Sequence, residues 1–168
     1  GSANPLTGQI EGFDIDMLAS VAAAIWGISK DAGDPHAEAV ARLEFKVITY
    51  AQRIPSLRDG SVDLVAHTMT INCPRWSQVA FSTVYYQAGQ KVLIRRAERG
   101  APEGPRTITD LAAAGAKVCA PAGSTNIDEL KKYDGVQVTE VDDITDCLVL
   151  FQQGRVAAIT ADDTVLAG

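Results

Sequence analysis

Segments with the two-residue rhythm of β-strands and segments with the helical 3.6-residue rhythm take turns along this chain. That alternation constrains the fold more than any other feature. After residue 106 the order is TITDLAAAG (helix), AKVCA (strand), STNIDELKKY (helix), VQVTEV (strand), DITDCLVLFQQG (helix) and VAAIT (strand). Strand and helix in turn predict parallel sheets with helices on their faces. The earlier half repeats the pattern. LEFKVI at 43–48 alternates apolar and polar residues, VDLVA at 62–66 reads as a strand buried on both faces, and QKVLIRR at 90–96 reads as a further strand. IPSLRDG at 54–60 reads as a short helix stopped by Gly60. DIDMLASVAAAIW at 14–26 reads as a helix with one buried stripe of Ile15, Leu18, Val21, Ala22 and Ile25, an N-cap at Asp14 and a stop at Gly27. Asp14 and Asp16 are read as cap and macrodipole complement rather than as a catalytic pair. ISKDAGDPHAEA is a polar loop with room for one short helix, and His36 within it is read as a solvated side chain.

The alternation breaks once, at ERGAPEGPR (98–106), which is rich in Gly, Pro and charge and separates two αβ halves. A length of 168 residues allows one domain or two small lobes. The net charge of −6 argues against a nucleic-acid partner, because phosphate contacts need a basic face. It leaves small ligands open, since a local pocket can oppose the global sign. No apolar run reaches the roughly 18 residues of a membrane span. Gly1-Ser2 has the look of a cloning remnant, so a targeting segment is expected to have been cut away with it. The 3 cysteines, Cys73, Cys119 and Cys147, form no CxxC pair and have no nearby histidines, which argues against zinc; no metal or other cofactor is expected.

In sheets of this kind ligands gather at the carboxyl ends of strands, where helix N-termini present free amides. Three places qualify. Thr68, Met69 and Thr70 follow VDLVA, and Arg75 comes soon after. An arginine fork with a threonine hydroxyl suits a two-point grip on a carboxylate, although a surface ion pair is an equal alternative for Arg75. Gly123-Ser124-Thr125 follows AKVCA and opens the next helix. Ser124 or Thr125 there caps the helix or donates to an anion. Neither GxxxxGK[ST] nor GxGxxG occurs, so this is no nucleotide loop. Asp162-Asp163 follows VAAIT, where a carboxylate pairs with an ammonium group or serves as a turn residue. Taken together the three describe a pocket with opposite charges facing each other, which suits an α-amino acid.

GFDIDMLASVA, RIPSLRDGSVDLVAHTMTINCPRWSQVAFSTVYYQAGQKVLI, GSTNIDEL and GRVAAITADDT, in this order, resemble motifs of the amino-acid-binding members of the type 3 extracellular solute-binding proteins, which serve ABC transporters. The resemblance runs from Gly8 nearly to the end. It implies an α/β two-lobe fold of the periplasmic-binding-protein kind, with a first lobe at 1–87, a hinge strand at 88–92 and a second lobe at 93–168. The family pattern also has a strand and a ligand-lining segment ahead of the matched part and continues past Gly168, so the implied fold is truncated at both ends. Exposed strand edges in such a piece would favour a dimer.

The resemblance also implies roles. Thr68 offers its carbonyl, and Asp162 its carboxylate, to the ligand ammonium. Thr70 and Arg75 hold the α-carboxylate, joined by Thr125 with Ser124 beside it, and Tyr50 stacks over the ligand. Arg53 matches an arginine that faces the ligand side chain in relatives preferring acidic amino acids; its alternative is a solvated arginine at a helix start. His67 departs from the family's commoner small or acidic residue, and no role attaches to it. Cys119 and Cys147 match a disulfide pair, closing a loop of roughly 30 residues worth about 3–4 kcal/mol, and Cys73 is left without a partner in this chain. The expected function is an extracellular or periplasmic receptor, membrane-tethered in its full-length form. It would capture aspartate, glutamate or their amides for an ABC-transporter permease. A sensor domain signalling to a kinase or other membrane partner is the alternative, and an enzyme of the dehydratase type is the least favoured, for want of an acid/base group beyond Asp162.

Overall fold

The computed structural model describes residues 2–4, 6–29, 31, 33–96 and 104–167. Residues 98–103 of the Gly/Pro-rich break lie outside that set. The chain forms two compact units. Unit 1 comprises Gly1–Ile48 and Arg53–Val79, and unit 2 comprises Thr49–Gln52 and Ala80–Gly168. The division thus falls after Val79, and residues 49–52, including Tyr50, group with unit 2 although their place in the sequence put them in the first lobe.

In unit 1, β1 (Ser2–Ala3) and β2 (Ile10–Glu11) form an antiparallel pair with Ser2 opposite Glu11. Helix α1 (Phe13–Trp26) packs against α2 (Pro35–Ala41) through Ala19, Ala22 and Ala39, whose small side chains let the two helices approach closely. The helix ends as expected at Gly27, which takes the left-handed conformation at φ 62°. Its start differs from expectation. Gly12 is the N-cap, and Asp14 lies inside the helix, buried, with its carboxylate turned to a backbone amide far along the chain. The stripe is also narrower, because Val21 and Ile25 are exposed while Ala19 is buried. His36 is exposed but not alone, since its Nε2 lies 3.1 Å from Asp16 Oδ1.

Helix α3 (Arg53–Arg58) and the single turn α4 (Cys73–Trp76) complete the helices of unit 1. The segments 43–48 and 62–66, expected as strands, have no ladder partner among the described residues and are irregular. Alternation alone does not make a strand; its amides and carbonyls need a neighbour. Leu64, expected to be buried, is 54 % exposed.

Unit 2 is built on a four-stranded sheet of β3 (Gln90–Ile94), β4 (Lys117–Pro121), β5 (Gln137–Val141) and β6 (Ala158–Asp162), in the order β3-β6-β4-β5. β4 runs parallel to β5 and β6, as alternation demands, whereas β3 is antiparallel to β6, so the sheet is mixed. Successive residues of β4 serve opposite faces. Val118 and Ala120 pack with Leu111 of α5 (Ile108–Ala113) and with Ile127 and Leu130 of α6 (Thr125–Leu130). Cys119 packs on the other side with Cys147 of α7 (Ile144–Gln152) and Ile159, joined by Leu166 of α8 (Asp163–Ala167). Cys119 and Cys147 form a disulfide, and Cys73 is free and exposed. Among the described residues no helix is long and apolar enough to cross a membrane.

Candidate functional site

In unit 1 the residues of interest lie on a short path from α3 through 67–70 to α4. Asn72 is the N-cap of α4, its Oδ1 accepting from Arg75 N at 3.0 Å, and Pro74 fits the first turn, where a missing N–H costs nothing. This sets the orientation of Arg75, which is only 9 % exposed and donates from Nη1 to the Thr70 carbonyl at 2.8 Å. Its burial removes the reading as a solvent-exposed surface pair. Arg53, 2 % exposed, donates from Nη1 to the carbonyls of His67 (2.9 Å) and Thr68 (3.0 Å), so it is not the solvated arginine its place at a helix start also allowed. From the other side Asp14 Oδ2 accepts the Thr68 amide at 3.3 Å.

Four backbone groups of 67–70 are therefore held by three buried ionic side chains, two positive and one negative. Met69 is half-buried and Thr70 exposed. The Thr68 carbonyl, read as an acceptor for an ammonium group, already takes Arg53 on one of its two lone pairs.

In unit 2 the parallel register of β4 and β6, Val118 opposite Ala158 and Cys119 opposite Ile159, brings both carboxyl ends to one edge of the sheet. Asp162, half-buried, is the last residue of β6, while β4 ends at Pro121 and turns through Gly123 into α6. Gly123 has φ 76°, and a Cβ there would stand 2.8 Å from Ala51 Cα, so only glycine lets the turn and residues 49–52 come this close. Ser124 occupies the N-cap position but does not cap. It is 6 % exposed, and its Oγ has no hydrogen-bond partner among the described residues. Thr125 is half-buried at the first position of α6, and Tyr50 is buried in the same unit.

The nine residues singled out from sequence thus divide into two sets. Arg53, Thr68, Met69, Thr70 and Arg75 are in unit 1; Tyr50, Ser124, Thr125 and Asp162 are in unit 2. Sequence reading missed Asp14 as a brace of Thr68 and missed Gln90 and Thr160, whose side chains bond to each other in unit 2 at 2.9 Å. The signal for Thr160 was available: it is the one hydroxyl in the otherwise apolar strand VAAIT. Among the described residues no group of three or more His, Cys, Asp and Glu is placed to hold a metal ion.

The family model of bacterial extracellular solute-binding proteins, family 3, matches residues 3–162. The glutamine-binding protein GlnH of an ABC transporter of Bacillus subtilis (strain 168) is 33 % identical over all of this chain and 56 % of its own length. The glutamate-binding protein GluB of Corynebacterium glutamicum is 31 % identical over all of this chain and 53 % of its own. The chain therefore spans about half the length of these curated relatives. Among solved structures, an ancestral arginine-binding protein bound to arginine superposes with a TM-score of 0.78 and 30 % identity, over 96 % of this chain and 64 % of that one.

Proposed function

The chain belongs to the bacterial extracellular solute-binding proteins of family 3, and from that premise we propose that it captures a polar or acidic L-amino acid for uptake by an ABC transporter. The observation that carries this reading is Arg75. A buried guanidinium, fixed through its own backbone by the Asn72 cap and through Nη1 by the Thr70 carbonyl, is a pre-oriented partner for a carboxylate. In the proposal each unit supplies its own carboxylate-binding groups, Arg75 and Thr70 in unit 1 and the Ser124 hydroxyl and Thr125 in unit 2. The groups for an ammonium are the Thr68 carbonyl in unit 1 and the Asp162 carboxylate in unit 2; Met69 and Tyr50 are the apolar and aromatic ligand contacts of their respective units. A permease receives the amino acid outside the cell, and the full-length protein is tethered to the membrane.

The ligand class is aspartate, glutamate, asparagine or glutamine, in keeping with relatives named for glutamine and glutamate. Arg53 tilts the choice toward the acids. It is a buried guanidinium, to which a ligand carboxylate offers a charge-assisted partner and an amide only a neutral one. Calorimetric titration with the four amino acids tests the reading. Arg75→Ala is expected to weaken every ligand that binds by roughly 100-fold or more. Arg53→Ala is expected to lower the acid-over-amide affinity ratio by about tenfold, or 1.4 kcal/mol. Wild-type protein that binds none of the four, or Arg75→Ala protein that binds them as wild type does, overturns the proposal. An unchanged acid-over-amide ratio in Arg53→Ala overturns the specificity argument alone.

A further inference from the structure

Gln90 opens β3 directly opposite Asp162, the last residue of β6. Its amide reaches in two directions. Nε2 donates to Thr160 Oγ1 at 2.9 Å and to the main-chain carbonyl of Asn126, in the first turn of α6, at 3.3 Å. Thr160 is fully buried, and its Oγ1 donates to the Lys91 carbonyl at 2.7 Å.

Proton counting fixes the direction of this chain. The Thr160 hydroxyl has one hydrogen, which goes to Lys91, so toward Gln90 it acts only as an acceptor, and Gln90 must supply both remaining donors. One side chain thus ties the strand that ends in Asp162 to the helix turn that begins with Ser124 and Thr125. Two-residue periodicity sets Thr160 and Asp162 on the same face of β6, the face on which α6 packs.

We propose that Gln90 is a positioning residue for ligand capture: it sets the spacing between the anion-binding turn at 124–125 and the ammonium-binding carboxylate of Asp162. The inference rests on the role given above to unit 2. The spacing has to match the short, fixed separation of the two charges in an α-amino acid, so a small displacement of α6 relative to β6 weakens every such ligand whatever its side chain.

The test uses Gln90→Met, which keeps side-chain length without adding a charge beside Asp162, with Thr160→Val and Thr160→Ser. Each is titrated with the four amino acids and followed by amide hydrogen exchange without ligand. Gln90→Met and Thr160→Val are each expected to weaken binding about tenfold, by the same factor for acids and amides. The double variant should be no weaker than the poorer single one, because both break one network. Thr160→Ser, which retains the hydroxyl, is expected to bind within about twofold of wild type. Exchange at Asp128–Leu130 of α6 should rise about tenfold in Gln90→Met while β5 stays unchanged. Thr160→Val carries the test if Gln90→Met does not fold. Affinity unchanged in both variants, or unchanged exchange in α6, overturns the inference. A wild-type protein that binds none of the four overturns the functional reading and the role in ligand capture with it, whereas unchanged exchange in α6 beside intact binding overturns the inference alone.

Discussion

Thr68 has a backbone φ of 41°, a left-handed conformation that a β-branched residue adopts only under constraint. The constraint is visible on both sides of the residue. Its amide is taken by Asp14, its carbonyl by Arg53, and the carbonyl before it by Arg53 as well. Such strain costs about 1–3 kcal/mol, whereas glycine would remove it at an entropic loss of about 0.5–1 kcal/mol. Thr68→Gly is therefore expected to raise stability by about 1 kcal/mol, read as a shift of the urea midpoint at unchanged slope; a fall of that size would show the conformation to be unstrained. The same residues mark how far a sequence carries at this scale. Arg75, Thr70 and Ser124 were singled out by residue type and place after an expected strand, and the structure shows Arg75 and Ser124 buried. The task of Asp14 was not, because its partner is 54 residues away and a local reading can only see a helix cap. Ser124 shows the converse: its position as N-cap was readable, but the idleness of its hydroxyl was not.

Elements were most legible where their ends carry local chemistry. Helix α5 begins with a capping box in which Thr107 Oγ1 accepts from Asp110 N and Asp110 Oδ2 accepts from Thr107 N. The Arg106 amide, the Thr107 hydroxyl and the Thr107 amide, in that order of effect, hold the Asp110 carboxyl below its ordinary pKa. A depressed folded-state pKa means stability that is present above the unfolded value and lost as pH falls through the folded one. Asp110→Asn should accordingly cost stability at neutral pH, with the difference from wild type shrinking toward zero in acid. Denaturant unfolding across the acid range measures this, and a difference that stays constant with pH would contradict it. The inner strands β4 and β6 of unit 2 were legible for a related reason: burial on both faces makes them largely apolar, and turns separate them cleanly. The segments 43–48 and 62–66 carry similar patterns and yet form no strand, because strand formation depends on a neighbour that a segment's own sequence does not record. The antiparallel placement of β3 escaped notice likewise, since alternation gives the order of elements but not the direction in which the sheet's edge strand arrives.

At the scale of the molecule the two units are stabilised differently. Unit 1 relies on alanine-lined helix contacts and buried ionic braces, while unit 2 has a two-faced core and the Cys119–Cys147 bond. Both tryptophans, Trp26 and Trp76, belong to unit 1. Their fluorescence therefore reports on the unit without the covalent tie. Opening the bond, whose cysteines are 28 residues apart in sequence, removes roughly 3–4 kcal/mol of loop entropy. In a Cys119→Ala/Cys147→Ala protein, core amide exchange in β4 and β6 is expected to quicken by that amount, while the tryptophan unfolding midpoint stays put. A tryptophan midpoint that falls equally would show the units to unfold as one.

The place of that bond has a consequence for the protein's history as well as its stability. Thiols stay apart in the reducing interior of a cell and join outside it, and this family works outside. With its thiols reduced, the second unit would keep its two-faced core and lack only the roughly 3–4 kcal/mol that the bond supplies. In oxidising surroundings the bond closes β4 onto α7 and makes the second unit harder to undo, a latch set by the redox state of the surroundings.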